Sequence, residues 1–322
     1  MSIPPPRILF CSLSAKLSLY IEVLRDAQMF SKDAKVIGCD SNVNCDAAKK
    51  IEHFIHLPNL NSLTDAQLIE ILSDHKITHI LPTRDGELSF WAKKKDWLSQ
   101  HNITTWVSEA CFVDCCNNKL LFSNQWADSP ITPIRTLSDT SDRSIARWAV
   151  KEKAGSGSTN IALNIGAEEA SKLASESFNQ PIFQPFIRGK EFTAEAWISK
   201  ISECYGPLLR WRNKVINGES HQATQFNNSE WEGLVSEVFL HTPGAYGHCL
   251  AQVIVDDQMK LHLIEINPRL GGASPLALRA GLSSVYWHLM EEAGEINAIP
   301  RKPVFSSGLK LTKKNGVAEF SF

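Results

Sequence analysis

Apolar positions recur along the first third of the chain in short runs separated by amphipathic stretches. Residues 7–11, 34–39, 78–81 and 104–107 read as strands, the second leading into Asp40 and the third closed by Pro82. Between them, residues 17–27, 65–73 and 87–100 carry apolar side chains at helical spacing, with Thr64 placed to cap the second helix. Strand–helix alternation of this kind predicts a parallel sheet with helices on both faces. The rhythm changes near residues 108–114. Beyond it, residues 147–153, 181–187, 191–200, 203–215 and 249–266 read as strands, and Asp256-Asp257-Gln258 turns the last of them into a hairpin. Helices are expected at 168–177, 230–240 and 276–293. The predicted fold is an α/β N-terminal domain, residues 1–111, followed by an antiparallel α+β domain, residues 112–322.

Composition narrows the function classes. The 322 residues carry 33 Lys plus Arg against 35 Asp plus Glu, a net charge of −2, which offers no basic excess for nucleic acid. The hydrophobic fraction is 43%, ordinary for a globular chain, and no apolar stretch approaches a membrane span. Residues 1–7 hold three prolines and no basic-then-apolar leader, so no signal peptide is expected. Eight cysteines show neither Cys-x-x-Cys nor Cys/His metal spacing, so free thiols in a reducing cytoplasm are expected.

The strongest chemical signal is Glu265-Ile266-Asn267-Pro268-Arg269-Leu270-Gly271-Gly272. Glu265 and Asn267 are two apart on a strand and share a face, where their oxygens suit a hard cation such as Mg²⁺. Pro268 ends the ladder, and Arg269 then offers a planar fork to a phosphoryl or carboxylate group. Lys151 precedes the run Gly155-Ser156-Gly157-Ser158, whose backbone N–H groups can wrap phosphate oxygens. Gln184, Phe186 and Ile187 form a strand able to pair with an adenine edge, and Glu191 can accept from ribose hydroxyls. Lys119 opens a helix behind Asn118, a position suited to an anion. Arg210, Arg212 and Lys214 alternate on one strand, either as a substrate face or as a charged outer face. The run from Pro82 through Thr83, Arg84, Asp85 and Glu87 follows a parallel strand, where open α/β sheets bind ligands. Asp40 stands where a dinucleotide fold keeps its ribose acid, but no G-x-G-x-x-G precedes it, which sets a dehydrogenase aside. His79, His221 and His248 show no partner pattern and read as satisfied or surface histidines. Each of these motifs taken singly also fits an ordinary turn or strand end.

Their order is more telling: a lysine, a lysine with a Gly/Ser loop, Gln/Gly/Glu, then a hairpin ending in Glu-x-Asn-Pro-Arg. In this the chain resembles the ATP-grasp superfamily over nearly its whole length. It is most similar to single-chain proteins related to a carbamoyl-phosphate synthase large-subunit module, with a Rossmann-like pre-ATP-grasp domain in front. The resemblance implies that Lys119 and Lys151 bind ATP phosphates. Gly155, Ser156, Gly157 and Ser158 would close over the triphosphate, within a lid spanning about residues 131–185. Gln184, Phe186 and Ile187 would serve as the adenine hinge, with Glu191 on the ribose. Gln252, Glu265 and Asn267 would hold Mg²⁺, with Mn²⁺ as an alternative ion. Arg269, with Arg210 and Arg212, would serve catalysis. Two departures stand out: Asn118 replaces the usual Asp, and Gln252 occupies a position that is often acidic, though Gln in the carbamoyl-phosphate synthase type. No glutaminase domain or second synthetase half is present in these residues, which argues against carbamoyl phosphate synthesis from glutamine.

The implied activity is an ADP-forming ligase joining a carboxylate to an amine, or less often a thiol, through an acyl-phosphate. The alternatives are a nucleotide-binding protein without turnover and a carboxylase or kinase on the same scaffold. The expected partners are small molecules, with neither nucleic acid nor membrane, and assembly as a homodimer is left open.

Overall fold

A computed structural model describes residues 4–155 and 160–322. The first sheet is built from β1 (Arg7–Phe10), β2 (Lys35–Asp40), β3 (Phe54–His56), β4 (His79–Leu81) and β5 (Thr104–Thr105), in the order β3-β2-β1-β4-β5. All four pairings are parallel. The connecting helices are α1 (Leu17–Phe30), α2 (Asp65–Asp74) and α3 (Asp85–Gln100). Thr64 caps α2, as the sequence predicts, and the structure completes a full capping box with Gln67. Chain order reverses between β1 and β4, so the loops after these two strands open a crevice at their C-terminal ends. Asp40 is used locally: Oδ2 accepts from the Ser14 backbone N–H and hydroxyl, and Oδ1 from Asn42 N–H. The carboxylate is thus tied to its own turn.

Two short helices follow, α4 (Ala110–Asn117) and α5 (Lys119–Gln125). A small antiparallel sheet comes next, with strand order β7-β6-β8, built from β6 (Trp148–Glu152), β7 (Ile161–Ile165) and β8 (Pro181–Pro185) and covered by α6 (Ala167–Ser177). The large sheet comprises β9 (Gly189–Ile198), β10 (Cys204–Ile216), β11 (Glu219–Phe226), β12 (Gly247–Asp256), β13 (Leu261–Asn267), β14 (Lys310–Lys314) and β15 (Val317–Ser321), in the order β13-β12-β9-β10-β11-β14-β15. The remaining helices are α7 (Ser229–Leu240), α8 (Ser274–Ala280) and α9 (Ser284–Glu292).

Alternation on the central strands decides the two faces of the large sheet. Phe192, Ala194, Ala196, Cys249, Ala251, Val253 and Val255 point to one side. There they pack against Trp231, Val235, Val238 and Phe239 of α7 and against Phe112, Phe122 and Trp126 of α4, α5 and the turn after it. The larger of them, Phe192, Val253 and Val255, each contribute about 1.5–3 kcal/mol on full burial, which helps fix the strand register. The other side carries polar residues along its middle and, at one end, a second core in which Trp197, Tyr205, Leu208, Ala223 and Leu311 pack against Leu276 and Ala277 of α8 and Trp287 of α9. A separate core joins the two sheets: Tyr246, Leu270, Leu278, Val285 and Leu289 pack with Ile8, Phe10, Leu19 and Val23.

Some expectations change. The helix predicted over 276–293 is two helices, because Gly281 adopts φ 110° and its N–H caps the end of α8 on Ala277 and Leu278. Lys214 does not continue the Arg210–Arg212 row: a bulge pairs it with Gln222 and leaves it exposed. The short strands β3 and β7, together with β11, β14, β15 and α4, were outside the predicted set. β14 and β15 extend the outer end of the large sheet beyond β11.

Candidate active site

The polar side of the large sheet carries one continuous row. Glu265 lies opposite Gln252, Gln252 opposite Thr193, Thr193 opposite Arg210, and Arg210 opposite Gln225. Facing residues on neighbouring strands are close enough for their side chains to touch. Glu265 Oε1 accepts from Gln252 Nε2 and Asn267 Nδ2, each at 2.9 Å. The sequence therefore brings these three together as predicted. Oxygen is the only hard donor they offer, which suits Mg²⁺. Among the described residues no group of three or more His, Cys, Asp and Glu is placed to hold a metal. One carboxylate with two amides is a weak cage by itself, so a divalent ion there would also need nucleotide oxygens.

A second row lies beside it. Arg212 Nε stands 2.7 Å from Glu191 Oε1, and Arg212 Nη2 donates to Gly218 O at 2.8 Å. Burial raises the Glu191 carboxyl above its usual range, opposed mainly by the Arg212 charge. Lys151, on β6 of the small sheet, lies within electrostatic range of Glu265, Lys119 and Glu191. Burial lowers its ammonium below the ordinary lysine range, and Lys119 adds to the effect. A half-buried lysine facing a second lysine is a place where a polyanion would relieve repulsion.

Lys119 donates from Nζ to Gly155 O at 3.2 Å, and its backbone N–H goes to Lys153 O. Asn118 caps α5 through Oδ1 on the N–H groups of Leu120 and Leu121, a task for which Asn and Asp serve equally. Gly155 sits at φ 126°, a conformation that favours glycine. Ser156, Gly157 and Ser158 lie outside the described residues.

Gln184 turns inward from β8. Its Nε2 donates to Thr136 Oγ1 at 2.9 Å, while its Oε1 is buried with no hydrogen-bond partner. Phe186 and Ile187 are half-buried in the link between β8 and β9, and Phe186 N–H donates to Arg147 O. Thr193 Oγ1 and Arg210 Nη1 are likewise buried and unpartnered. Orphaned donors and acceptors cost roughly 1–3 kcal/mol each, so they mark places where a ligand contact is worth most.

Two arginines behave differently from a plain substrate face. Arg210 is 2% exposed and places Nε 2.5 Å from Glu195 Oε1. Glu195 Oε2 meets His248 Nε2 at 2.9 Å, and His248 Nδ1 meets Ser284 Oγ at 3.0 Å. Burial alone would raise Glu195, but Arg210 and His248 outweigh it and draw the carboxyl down to about 2. Glu195 was not singled out from the sequence, whereas His248, read there as a satisfied or surface histidine, is buried with a partner on each ring nitrogen. The signal was present as the alternation Glu191-Phe192-Thr193-Ala194-Glu195, polar on one face and apolar on the other. Arg269 reaches away from the end of β13 to Asp85 at the start of α3, with Nε–Oδ1 and Nη2–Oδ2 both 2.5 Å.

An ATP-grasp domain family model matches residues 116–273. No curated protein matches the chain significantly by sequence. Among solved structures, N5-carboxyaminoimidazole synthetase from Staphylococcus aureus is similar with a TM-score of 0.71 at 13% identity, over 95% of this chain and 82% of that one. Biotin carboxylase from Campylobacter jejuni gives 0.73 at 12% identity, over 95% of this chain and 74% of that one. The biotin carboxylase domain of Hydrogenobacter thermophilus 2-oxoglutarate carboxylase, solved with Mg-ADP, ADP and bicarbonate, gives 0.72 at 15% identity, over 95% and 74%. At such identities the likeness speaks for the fold. With the parallel sheet in front and the polar-faced antiparallel sheet behind, the chain carries an ATP-grasp domain, matched over residues 116–273, behind an N-terminal α/β module.

Proposed function

We propose that the chain is an ATP-dependent ligase that joins a carboxylate to an amine, or less often a thiol, through an acyl-phosphate. The carrying observation is the polar sheet face on which Gln252, Glu265 and Asn267 converge within electrostatic range of Lys151. In this reading Lys119 and Lys151 take the phosphates, and the link Phe186–Ile187 takes the adenine with Glu191 on the ribose. Glu265, with the amide oxygens of Asn267 and Gln252, would hold Mg²⁺, which neutralises phosphate charge. The domain junction is proposed at residues 111–112 and the lid at about 131–185.

The chemistry needs no protein nucleophile. A carboxylate oxygen attacks the γ-phosphorus as the bond to ADP breaks. The amine then attacks the acyl carbon, and phosphate and a proton depart. The chain's part is to align the reactants, neutralise developing charge and exclude water. In this reading Arg269, at the end of β13, would meet the transferred phosphoryl. The free state of all eight cysteines accords with a reducing, cytoplasmic setting.

A matrix of carboxylates and amines tests this, with ADP release as the readout. Bicarbonate belongs in the set, since a structural relative was solved with it. ADP should appear only when carboxylate and amine are both present. Mg-ATP analogues should raise the melting temperature, as any ligand of the folded state does, and NAD should not. Phosphorylation of a neutral alcohol to a stable ester would make the protein a kinase. Nucleotide binding without any turnover would favour the inactive alternative.

A further inference from the structure

Arg269 and Asp85 are 184 positions apart in sequence, yet they form a bidentate pair between the metal-carrying hairpin and the N-terminal sheet. Both side chains are mostly buried, at 17% and 13% exposure. The pair is also rigidly mounted. Glu87 Oε1 accepts the backbone N–H groups of Thr83 and Arg84 at 2.8 and 3.0 Å, and its Oε2 accepts Ser12 Oγ at 2.9 Å. These contacts lock the turn that presents Asp85 across the ends of β1 and β4.

The stereochemistry of the pair is specific. A guanidinium has five N–H groups on two usable edges. Asp85 takes the side-on edge, formed by Nε and Nη2. One N–H of Nη1 donates to Leu270 O at 3.1 Å. What remains is one N–H each of Nη1 and Nη2, which make no hydrogen bond among the described residues and which we take as the end-on edge. An end-on edge matches two oxygens of a phosphoryl or carboxylate group.

We propose that Asp85 is a positioning residue for Arg269: by holding the side-on edge it turns the end-on edge outward as an anion-binding face, so the N-terminal module takes part in the chemistry of the ATP-grasp sheet. This rests on the ligase reading of the site. The opposite arrangement, in which Asp85 masks Arg269 and competes with the anion, predicts the reverse effect of its removal.

Inorganic phosphate is the probe, titrated calorimetrically with and without saturating Mg-ADP. Asp85→Asn keeps the shape and removes the charge. Phosphate affinity should fall at least tenfold, while Mg-ADP affinity stays within about twofold. Asp85→Glu should fall between wild type and Asp85→Asn. Should Asp85→Asn fail to fold, Arg269→Lys serves instead, because lysine can still pair with Asp85 but has no end-on edge. It should show the same loss of phosphate binding. Once a substrate pair is known, Asp85→Asn should lower kcat tenfold or more with little change in the KM for ATP. Unchanged or tighter phosphate binding in the folded variants, or a wild type that binds no phosphate, overturns the proposal. Absence of Mg-ADP binding would sink the ligase reading alone, since the titrations without nucleotide still decide the role of Asp85.

Discussion

Arg210 illustrates how burial redefines a residue's role. On the sheet face it is a candidate for substrate contact, but Glu195 is 0% exposed and depends on it for charge balance. Arg210→Ala should therefore destabilise the fold by about 3–5 kcal/mol, because it strands a buried carboxylate. The double variant with Glu195→Ala should be milder than Arg210→Ala alone, and additive costs in chemical denaturation would refute that coupling. Asp26 on α1 offers the converse case. It is fully buried, neither oxygen has a hydrogen-bond partner, and Arg25 stands 3.6 Å away. Burial pushes its carboxyl up to about 7 against an ordinary 3.8. The folded state therefore holds the proton more tightly, and stability falls as pH rises from about 4 through 7. Asp26→Asn should raise the melting temperature at pH 8, with the gain vanishing near pH 4. Equal gains at both pH values would contradict it. At the metal strand, Glu265→Gln and Asn267→Ala should each abolish turnover and leave the melting temperature within a few degrees, because both side chains lie on the polar face, away from the core. Near-normal ATP turnover in either variant would end the metal assignment.

At the level of elements, the β12–β13 hairpin does most of the organising. It carries Gln252 and Glu265 into register, and its neighbour β9 supplies Thr193 and Glu191. The junction between the small sheet and β9 is tight. A Cβ built on Gly189 would lie 2.2 Å from Val255 O, a backbone atom that cannot swing aside. Gly189→Ala should open the end of the β9–β12 ladder, costing about 1–3 kcal/mol. It should also weaken ATP binding, since the link proposed to hold the adenine directly precedes this residue. A wild-type melting curve would show that the strands can part without loss. The sequence pattern made most of these elements legible. It missed the break between α8 and α9, where Gly281 interrupts an otherwise continuous apolar spacing. It also missed the bulge that removes Lys214 from the arginine row, because a bulge leaves no mark on a period of two.

Across the whole molecule, two sheets of different design share a core through α8, α9 and Tyr246. The small sheet with α6 packs its own cluster of Trp148, Val150, Ala170, Ala174 and Phe183. In the proposed reading this unit closes as a body over the nucleotide. Hydrogen exchange should slow at residues 151–155 and 160–165 when an ATP analogue and Mg²⁺ are added. Unchanged exchange despite measured binding would argue against closure. No helix among the described residues is long and apolar enough to cross a membrane.

What the sequence determined by itself follows from local physics. Alternating and helical apolar periods set the α/β and α+β halves, and spacing by two put Glu265 and Asn267 on one face. Thr64 announced itself as the cap of α2. The tertiary structure decided everything that depends on partners distant in the chain. Gln252 meets Glu265 only because the β12–β13 register opposes them. Glu195 and His248 became a buried pair only once β9 and β12 were side by side and α9 brought Ser284. Arg269 found Asp85 across 184 positions because the β12–β13 hairpin packs against the open end of the parallel sheet. A linear pattern records which way a side chain points along its own strand or helix. Which charge it meets there is fixed by packing between elements, where burial turns a surface residue into a paired one.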